Sequence, residues 1–412
     1  MSVPSVRHAW RALRHRNFKL YFTGQGISII GTWMTRMATT WLVYRLTHSA
    51  LLLGVVGFVG LIPTFVLAPF AGVWIERLDR RRLLVWTQAA AATQSLTLAA
   101  LTLAGVVTFW EVLVLAVFQG LVNAFDAPLR QIFLGQMVDD REDLGNAIAI
   151  SSSLANGARL IGPAIAGLVI AAWGEGGCFL IDGLSYLAVI TSLLMMRIQP
   201  LANQPNKARM LEQMREGWQY VSGFRPVRAI LLLLALLALM GFPYSILLPV
   251  FAGQVLHGGP ATLGWLTAAS GIGALGSGLS LTLRTSTKGL ARMLQISAAA
   301  LGCGLILFGL AQALWLSMAL MVLVGFGMMQ VFAVSNTLVQ TLVPEDKKGR
   351  VMSYFFMALF GAAPFGSLLG GALAHRIGAP HTVIVTGAFC LAGALWFGLE
   401  RPGVQAVMQA TT

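Results

Sequence analysis

Five ionisable side chains interrupt long apolar runs of the sequence: Arg36, Asp126, Arg130, Arg159 and Asp182. A carboxyl group in such surroundings can exchange a proton, and an arginine can meet an anion. A charge near the centre of a bilayer costs at least about 2.5 kcal/mol on insertion scales. If these runs cross a membrane, we expect the five side chains to pair with one another or to line a watery cavity.

The elements that must position these residues are membrane helices. Hydrophobic residues make up 57% of the 412-residue chain and charged residues 10%, with a mean hydropathy of +0.76. These values exclude an ordinary globular protein. A spanning helix needs about 20 apolar residues, and the alternation typical of barrel strands is absent. The sequence therefore predicts an all-α, multi-pass protein in contact with the lipid bilayer.

Charge and Gly/Pro clusters break the apolar runs into twelve predicted spans. They lie near residues 20–45, 50–75, 83–105, 110–136, 145–173, 177–197, 228–256, 261–284, 290–311, 314–341, 351–374 and 379–399. One long polar connection divides them six and six. The predicted organisation is a basic N-terminal segment at 1–19, a six-helix bundle at 20–197, a linker at 198–227, a second six-helix bundle at 228–399 and a tail at 400–412.

The linker contains an amphipathic segment. From Ala208 to Tyr220, two methionines and Trp218 share one helical face. Two interpretations stay open: a helix lying on the inner membrane surface, or a solvated connecting helix.

Basic residues fall on one side of the predicted topology. Of 28 Lys and Arg residues, 23 lie in the termini or in turns on the same side, whereas Arg45 and Arg376 lie in the opposite turns. The positive-inside rule then makes both termini cytoplasmic. It also explains the net charge of +13 better than nucleic-acid binding does, because no stacking aromatics alternate with the basic residues.

Signatures of enzymes and metal sites are missing from the sequence. It has no HExxH motif, no GxSxG motif with partners and no phosphate-loop lysine motif. Cys178, Cys303 and Cys390 show no paired spacing, and the six histidines fall near predicted membrane edges or in the tails. We therefore expect no enzyme activity, no metal and no cofactor.

The embedded charges suggest an ion pair. By the 1.5 Å rise of a helix, Asp126 lies ~16 Å and Arg159 ~21 Å from the inner surface. An Asp126–Arg159 pair is the simplest way to lower the cost of both charges, and Arg130, one turn from Asp126, competes for it or completes a triad. A proton-dependent switch and a static structural pair are both compatible with this arrangement.

Other embedded residues are candidates for a ligand cavity. Arg36 lies near the middle of predicted span 1, where it can meet an anion. Asp182 belongs either to the same cavity or to a solvated outer rim. The remaining candidates are Gln25, Gln119, Phe242, Gln330 and Asn336. Amides also hold helices together and aromatic rings also pack, so both roles stay open.

The turn from Gly72 to Leu84 carries a family motif. Its residues Gly72, Glu76, Arg77, Asp79, Arg80 and Arg81 resemble the GxxxDRxGRR signature between helices 2 and 3 of the major facilitator superfamily. Glu replaces the Asp of the signature, and Asp replaces its second Gly. Gly162, Pro163 and Gly167 resemble the helix 5 signature of antiporters in that superfamily.

Four stretches resemble, more narrowly, the bacterial enterobactin-exporter-like branch of that superfamily. They are GTWMTRMATTWLVYRLT (31–47), NAFDAPLRQIF (123–133), NAIAISSSLANGARLIGPAIAG (146–167) and CFLIDGLSYLAV (178–189). Arg36 and Asp182 depart from the branch, which often has an uncharged residue and Asn at these places. The resemblance is dense in the first half and rests mainly on the pattern of spans in the second.

The resemblance implies a monomeric exporter in the bacterial inner membrane, which moves a hydrophobic or amphipathic small molecule, drug-like or siderophore, in exchange for protons.

The two halves repeat at an offset of about 205 residues, as in transporters built from two related bundles. This offset places Val331 opposite Asp126 and Ser335 opposite Arg130. We therefore hypothesise that the first half couples to protons and the second offers an apolar wall.

Two alternatives stay open. One is facilitated or lipid-moving transport without proton coupling, and the other is a receptor or assembly subunit that transports nothing.

The basic turn also has two possible roles. It acts as a cytoplasmic latch, in which Glu76 pairs with Arg80 or Arg81 and faces the positive start of span 11 near Arg350, or it serves topology alone.

Replacing Glu76 by Gln separates these two roles. The change removes a charge without adding bulk, so we expect normal membrane levels and a loss of transport if the latch exists. Immunoblots of membrane fractions and an efflux assay on the same cells measure both quantities. Normal transport at normal levels would leave the turn with its topological role only.

Overall fold

The computed structural model describes residues 11–75, 78–138, 140–197, 210–284, 286 and 288–411, with the backbone alone at 68–74, 141, 210–214 and 410–411. Helices make up nearly all of these residues, and no β-strand occurs among them. The predicted all-α class is therefore confirmed. Eight helices in this part of the chain are long and apolar enough to cross a membrane. They fit the multi-pass protein that the composition predicts.

The first helices match the predicted spans closely. A short 3-10 turn at Arg11–Arg14 precedes α1 (Arg16–Thr47), α2 (Ala50–Ile75), α3 (Arg80–Leu103), α4 (Phe109–Leu134) and α5 (Arg141–Met195). Although α5 is assigned as one helix of 55 residues, its backbone turns to φ 72° and ψ 178° at Gly174. Glycine tolerates this conformation because it has no Cβ. The two arms of α5 correspond to predicted spans 5 and 6.

The remaining helices include several interrupted ones. They are α6 (Met210–Gly223), α7 (Arg225–Gly241), α8 (Tyr244–Val250), α9 (Pro260–Thr282), α10 (Leu290–Leu310), α11 (Leu314–Leu342), α12 (Glu345–Phe356), α13 (Ala362–Ile377) and α14 (Ala379–Thr411). Pro243 separates α7 from α8, because proline cannot donate a backbone hydrogen bond. Two π-helical turns, Phe251–Val255 and Met357–Gly361, follow α8 and α12.

Polar side chains mark where several helices begin. Asp79 at the start of α3 and Asp140 at the start of α5 each accept a backbone N–H bond of 3.1 Å. At the start of α4, Thr108 and Glu111 form a capping box, with a bond of 2.9 Å from the Thr108 N–H to the carboxylate. These side chains satisfy amides that the first helical turn leaves without partners.

The chain folds as two compact units. The first comprises the described residues of Met1–Leu46 and Ile62–Pro205, and the second those of Thr47–Leu61 and Asn206–Thr412. The beginning of α2 therefore packs within the second unit. There, a Cβ added to Gly54 would lie 2.9 Å from the Cα of Gly371 in α13, so both positions need glycine for this close approach.

The described end of the basic N-terminal segment is attached to the first turn of α5. Arg11 Nε donates to Asp143 Oδ1 at 2.6 Å, and His15 Nε2 lies 3.0 Å from Asp143 Oδ2. The backbone N–H of Ala12 donates to Asn146 Oδ1 at 2.9 Å. The Asp143 carboxylate is thus paired with the basic segment, and its position in the first turn of α5 is favoured by the helix dipole.

Helix α6 occupies the end of the predicted linker, whose residues 198–209 lie outside the described part. Arg350 Nη1 of α12 lies 2.7 Å from Glu216 Oε2 of α6. The rings of Trp218 and Tyr354 have centroids 5.9 Å apart, while 59% of Trp218 stays exposed. Within the second unit, α6 is therefore held on α12 by an ion pair and an aromatic contact.

Glycines set the distance between α9 and α11 in the second unit. A Cβ added to Gly273 would lie 2.7 Å from the backbone nitrogen of Phe326, and one added to Gly325 would lie 2.8 Å from Ser270 Cα. By contrast, nothing lies within 4 Å of a Cβ added to Gly278, which belongs to the same helix as Gly273.

These two glycines of α9 give a matched test of the packing. We expect Gly273→Ala to destabilise the folded protein by about 1–3 kcal/mol, since α11 must move to admit the methyl group. Gly278→Ala is expected to be neutral or to stabilise by up to about 1 kcal/mol, because alanine favours a helix. Thermal melting of the purified variants measures both effects. Wild-type melting of Gly273→Ala would show that α9 and α11 separate without cost.

Candidate functional site

Asp126 lies at the centre of a hydrogen-bonded network in the first unit. Only 8% of the residue is exposed. Its Oδ2 accepts a bond of 2.5 Å from Arg130 Nε, and its Oδ1 accepts bonds from Thr87 Oγ1 at 3.0 Å and Gln88 Nε2 at 2.5 Å. Arg130 Nη2 also donates to Gln88 Oε1 at 3.2 Å. The carboxylate is therefore neutralised by Arg130, and both of its oxygens accept hydrogen bonds.

Two helices build this network. Asp126 and Arg130 lie four residues apart on α4, so their side chains meet on one face. Thr87 and Gln88 come from α3, which packs beside α4. Sequence reasoning did not select Thr87 or Gln88. The available signal was a pair of adjacent polar residues inside a predicted span, since polar side chains in a membrane helix often contact another helix.

Arg159 is not the partner that Asp126 has in this structure. The expected Asp126–Arg159 pair is replaced by the Asp126–Arg130 pair, the alternative that the spacing also allowed. The physical reason is direction around the helix, since equal depth does not bring two side chains to the same face. The Arg159 guanidinium instead lies 5.8 Å from the ring centre of Trp33 on α1.

A polar cavity of about 180 Å³ adjoins the Asp126 network within the first unit. Its walls include Asp126 and Arg130 together with the predicted cavity residues Gln25 and Gln119. Gln119 Nε2 donates to Asn123 Oδ1 at 3.1 Å, while Gln119 Oε1 is buried without a hydrogen-bond partner in the described residues. A cavity of this size and polarity accommodates water or a small polar group beside the carboxylate.

Arg36 and Arg159 form a second charged cluster in the same unit. The Arg36 guanidinium lies 5.3 Å from the ring centre of Trp33, which Arg159 also approaches. Gly162 brings α5 against α1, since a Cβ at this glycine would lie 2.6 Å from Trp33 Cβ and 3.1 Å from the Ile30 carbonyl oxygen. Gly162 therefore places the Arg159 turn of α5 next to Trp33.

The other residues of the predicted helix 5 motif share this packing region. Pro163 lies inside α5, and both Pro163 and Gly167 are buried. Their burial indicates that they contribute to helix packing within the first unit.

Asp182 lies deep inside the first unit, so its interpretation as a solvated rim residue is wrong. Only 2% of the residue is exposed. Ser95 of α3 donates to its Oδ2 at 3.0 Å, and a Cβ added to Gly31 of α1 would lie 2.8 Å from its Oδ1. Close packing of the second arm of α5 between α1 and α3 excludes water from this carboxyl group.

The predicted cavity residues of the second unit are used differently. Gln330 is fully buried, and its Oε1 accepts bonds from Ser277 at 2.5 Å and Ser280 at 3.2 Å, so it joins α11 to α9. Asn336 is half-buried and accepts a bond from Gln340 on the next turn of α11. Phe242 is half-buried at the junction of α7 and α8.

The turn before α3 is described in part. Gly72 is described by its backbone alone, while Glu76 and Arg77 lie outside the described residues, so the pairing predicted for Glu76 belongs there too. Arg81 Nε donates to the Leu193 carbonyl oxygen at 2.8 Å, and Arg81 Nη2 donates to that of Leu194 at 2.6 Å.

Arg81 thereby satisfies carbonyl groups at the C-terminal end of α5, where a cation is favoured. Asp79, the N-cap of α3, also lies 3.6 Å from Arg82 Nε. Arg80 is half-buried, and its Nε finds no hydrogen-bond partner among the described residues.

The fold and these polar clusters define a membrane transporter of the major facilitator type. The chain belongs to the transmembrane secretion effector family of that superfamily, whose model matches residues 7–409. Members of this class are transporters and not enzymes, so the expectation of no enzyme activity is confirmed.

Relatives whose names state a transport function align with most of the chain. The staphyloferrin A transporter of Staphylococcus aureus (strain NCTC 8325 / PS 47) is 25% identical over 382 residues, covering 92% of this chain and 95% of that protein. Macrolide efflux protein A of Streptococcus pyogenes is 24% identical with the same coverage of 92% and 95%. The multidrug efflux pump Tap of Mycolicibacterium fortuitum is 26% identical, covering 86% and 88%.

Solved structures share the fold. A bacterial homologue of the human lysosomal transporter Spinster, in an inward-facing conformation, matches with a TM-score of 0.71 at 14% identity, covering 100% of this chain and 99% of that one. A POT family transporter matches with a TM-score of 0.72 at 14% identity, covering 95% and 99%. At this identity the likeness concerns the fold.

A double-mutant cycle identifies the partner of Asp126. Arg130→Gln leaves a buried carboxylate without its cation, so we expect a loss of about 3–5 kcal/mol in stability. Asp126→Asn in the same molecule should recover roughly 0.5–3 kcal/mol of the summed effects, whereas Asp126→Asn and Arg159→Gln should add within about 0.5 kcal/mol. Thermal melting measures all five variants. Strong coupling to Arg159 and none to Arg130 would contradict the geometry.

Proposed function

We propose that this protein is a proton-coupled secondary transporter that exports a hydrophobic or amphipathic small molecule by alternating access. The observation that carries the proposal is the buried Asp126–Arg130–Gln88 network beside a polar cavity. A fixed ion pair has no need of a cavity, whereas a carboxyl group that exchanges protons needs a path for water.

We propose twelve spans in two six-helix bundles. The described helices support this arrangement: α1 to α4 supply four spans, the two arms of α5 supply two, and the second unit supplies six. In the second unit these are α7 with α8, α9, α10, α11, α12 with α13, and α14. The excess of Lys and Arg on one side supports cytoplasmic termini in a bacterial inner membrane. A single chain suffices for this architecture, so we propose a monomer.

Protonation of Asp126 supplies the switch in this mechanism. The ionised carboxylate holds Arg130 on α4 and Gln88 on α3 at the same time. A bound proton removes the charge that attracts Arg130 and uses one oxygen as a donor, which weakens the tie between α3 and α4. The two states of this network bias the two access states of the transporter, since a proton shifts a conformational equilibrium only when it binds one state better.

The substrate class is supported by the relatives and by the second half of the chain. Relatives named for macrolide efflux, multidrug efflux and staphyloferrin A transport move varied small molecules. In the second half, Val331 and Ser335 stand where the first half has Asp126 and Arg130. A wall without charge favours an apolar part of the substrate.

The turn from Gly72 to Leu84 is proposed as the cytoplasmic latch. Its described part supports a mechanical role, because Arg81 ties the start of α3 to the end of α5. A tie between these helix ends makes the turn respond to movement of either helix.

Asp126→Asn tests the coupling. In a pump-deleted host, we expect the wild-type protein to export at least one compound from a panel of dyes, antibiotics and siderophores. A protonophore should abolish that export. Asp126→Asn should lower proton-driven export at least about tenfold, equivalent to about 1.4 kcal/mol in the barrier. Its remaining flux should no longer depend on external pH.

Glu142→Gln is the matched control for this test. It also neutralises a carboxylate of the first unit, but its side chain is 83% exposed at the start of α5, so export should stay unchanged. Unchanged rate and pH dependence in Asp126→Asn would remove Asp126 from the coupling. Wild-type flux that ignores the pH gradient altogether would instead select a facilitator.

A further inference from the structure

Trp33 is approached by two cations inside the membrane helices. The guanidinium carbons of Arg36 and Arg159 lie 5.3 Å and 5.8 Å from the centre of its ring. One residue comes from α1 and the other from α5. Both distances fall within the range of cation–π attraction. Two positive charges are thus gathered around a single aromatic ring.

These two arginines differ from Arg45 and Arg130 of the same unit, each of which pairs with a carboxylate. Arg130 pairs with Asp126, and Arg45 pairs with Glu175 at 2.7 Å. Among the described residues, no Asp or Glu forms an ion pair with Arg36 or Arg159. Cation–π contact alone does not offset two like charges held together in a membrane protein. The cluster therefore has an unmet requirement for negative charge.

The backbone forces the two cations together. Gly162 permits contact between α1 and α5 at the level of Trp33, one turn from Arg159. Neither guanidinium group can move away from Trp33 without a change in this helix contact or in its own rotamer. Arg36 is exposed, and Trp33 and Arg159 are half-buried, so the cluster is open to a ligand.

We propose that Arg36, Arg159 and Trp33 bind the oxyanion of an amphipathic substrate, most simply a carboxylate. Two guanidinium groups match the planar, bidentate geometry of a carboxylate. The Trp33 ring and the surrounding apolar helices then contact the hydrophobic part of the same molecule. This inference rests on the proposed export function, because it names one chemical group of the exported molecule.

The inference also separates the two charged clusters by role. Asp126 already has a counter-charge in Arg130, so this network is available for proton binding. The Arg36–Arg159 cluster takes its counter-charge from the substrate. A substrate anion would then be recognised without consuming the group that couples to protons.

Equilibrium binding to the purified full-length protein tests the proposal. The probes are fluorescein, an anionic xanthene dye, and rhodamine 123, a cationic dye on the same scaffold. In nanodiscs of phosphatidylcholine, we expect the wild type to bind fluorescein more tightly than rhodamine 123. Arg36→Gln and Arg159→Gln should each weaken fluorescein binding by roughly 10-fold to 100-fold, as for the loss of a charge-assisted hydrogen bond. Neither should weaken rhodamine 123 binding.

Arg376→Gln is the matched control, because it removes one exposed positive charge at the end of α13. It should bind both dyes as the wild type does. Tighter binding of rhodamine 123 by the wild type, no binding of fluorescein, or wild-type fluorescein affinity in both Gln variants would overturn the proposal.

Two further arms keep the test decisive. If a Gln variant fails to fold, 1-naphthoate should displace fluorescein from the wild type and its neutral amide should not; equal displacement by both overturns the proposal. Nanodiscs of phosphatidylglycerol test whether an anionic lipid headgroup occupies the cluster. Loss of fluorescein binding in these nanodiscs would identify the lipid headgroup, and not the substrate, as the ligand. Because these measurements need no gradient, they stand apart from a failure of proton-driven export.

Discussion

The hydrocarbon core of a membrane offers no water to a polar group, and the rest of this structure depends on that constraint. Backbone amides and carbonyls are satisfied inside helices, which is why the described chain is helical almost throughout. The ends of those helices need other partners. Asp79 and the Thr108–Glu111 pair cap starts of helices, and Arg81 meets carbonyl groups where α5 ends. Most polar side chains near the helix ends therefore have a structural task.

Inside the helices, the same constraint makes the two charged clusters informative. The Asp126 network balances its charge, and both carboxylate oxygens accept hydrogen bonds. Among the described residues, the cluster of Arg36 and Arg159 has only the face of Trp33 to offset its charge. In the proposed mechanism, a proton competes with Arg130 as the counter-charge of Asp126. A group that does not balance its charge is suited to receive a ligand.

The sequence predicted helices better than it predicted partners. Predicted span 4 at 110–136 corresponds to α4 at Phe109–Leu134, and the gap between 173 and 177 falls at the Gly174 break. Apolar length and glycine placement determine these features locally. Arg159 was the wrong first choice as the partner of Asp126, and Arg130, the alternative, is the partner. Helical rise gives depth but not the direction of a side chain across the bundle. Contact with α3, which supplies Gln88 and Thr87, depends on how whole helices pack.

The same limit applies to Asp182 and Gln330. Position along the chain suggested a rim for Asp182, yet its burial follows from Gly31 on a helix distant in sequence. Gln330 had two foreseen roles, and its contacts with Ser277 and Ser280 on α9 use its carbonyl oxygen between helices. The contacts of such residues can be predicted only when the neighbouring helix is known.

The difference between the two halves has a physical consequence for coupling. Near the positions that correspond to Asp126 and Arg130, the second half has Gln330 bonded to two serines, a neutral group that does not titrate near pH 7. A proton then changes the energy of one half only. Were both halves to carry the same titrating pair, protonation would loosen them alike and favour neither direction of opening. Under the proposed mechanism, this asymmetry lets proton binding at Asp126 select one access state.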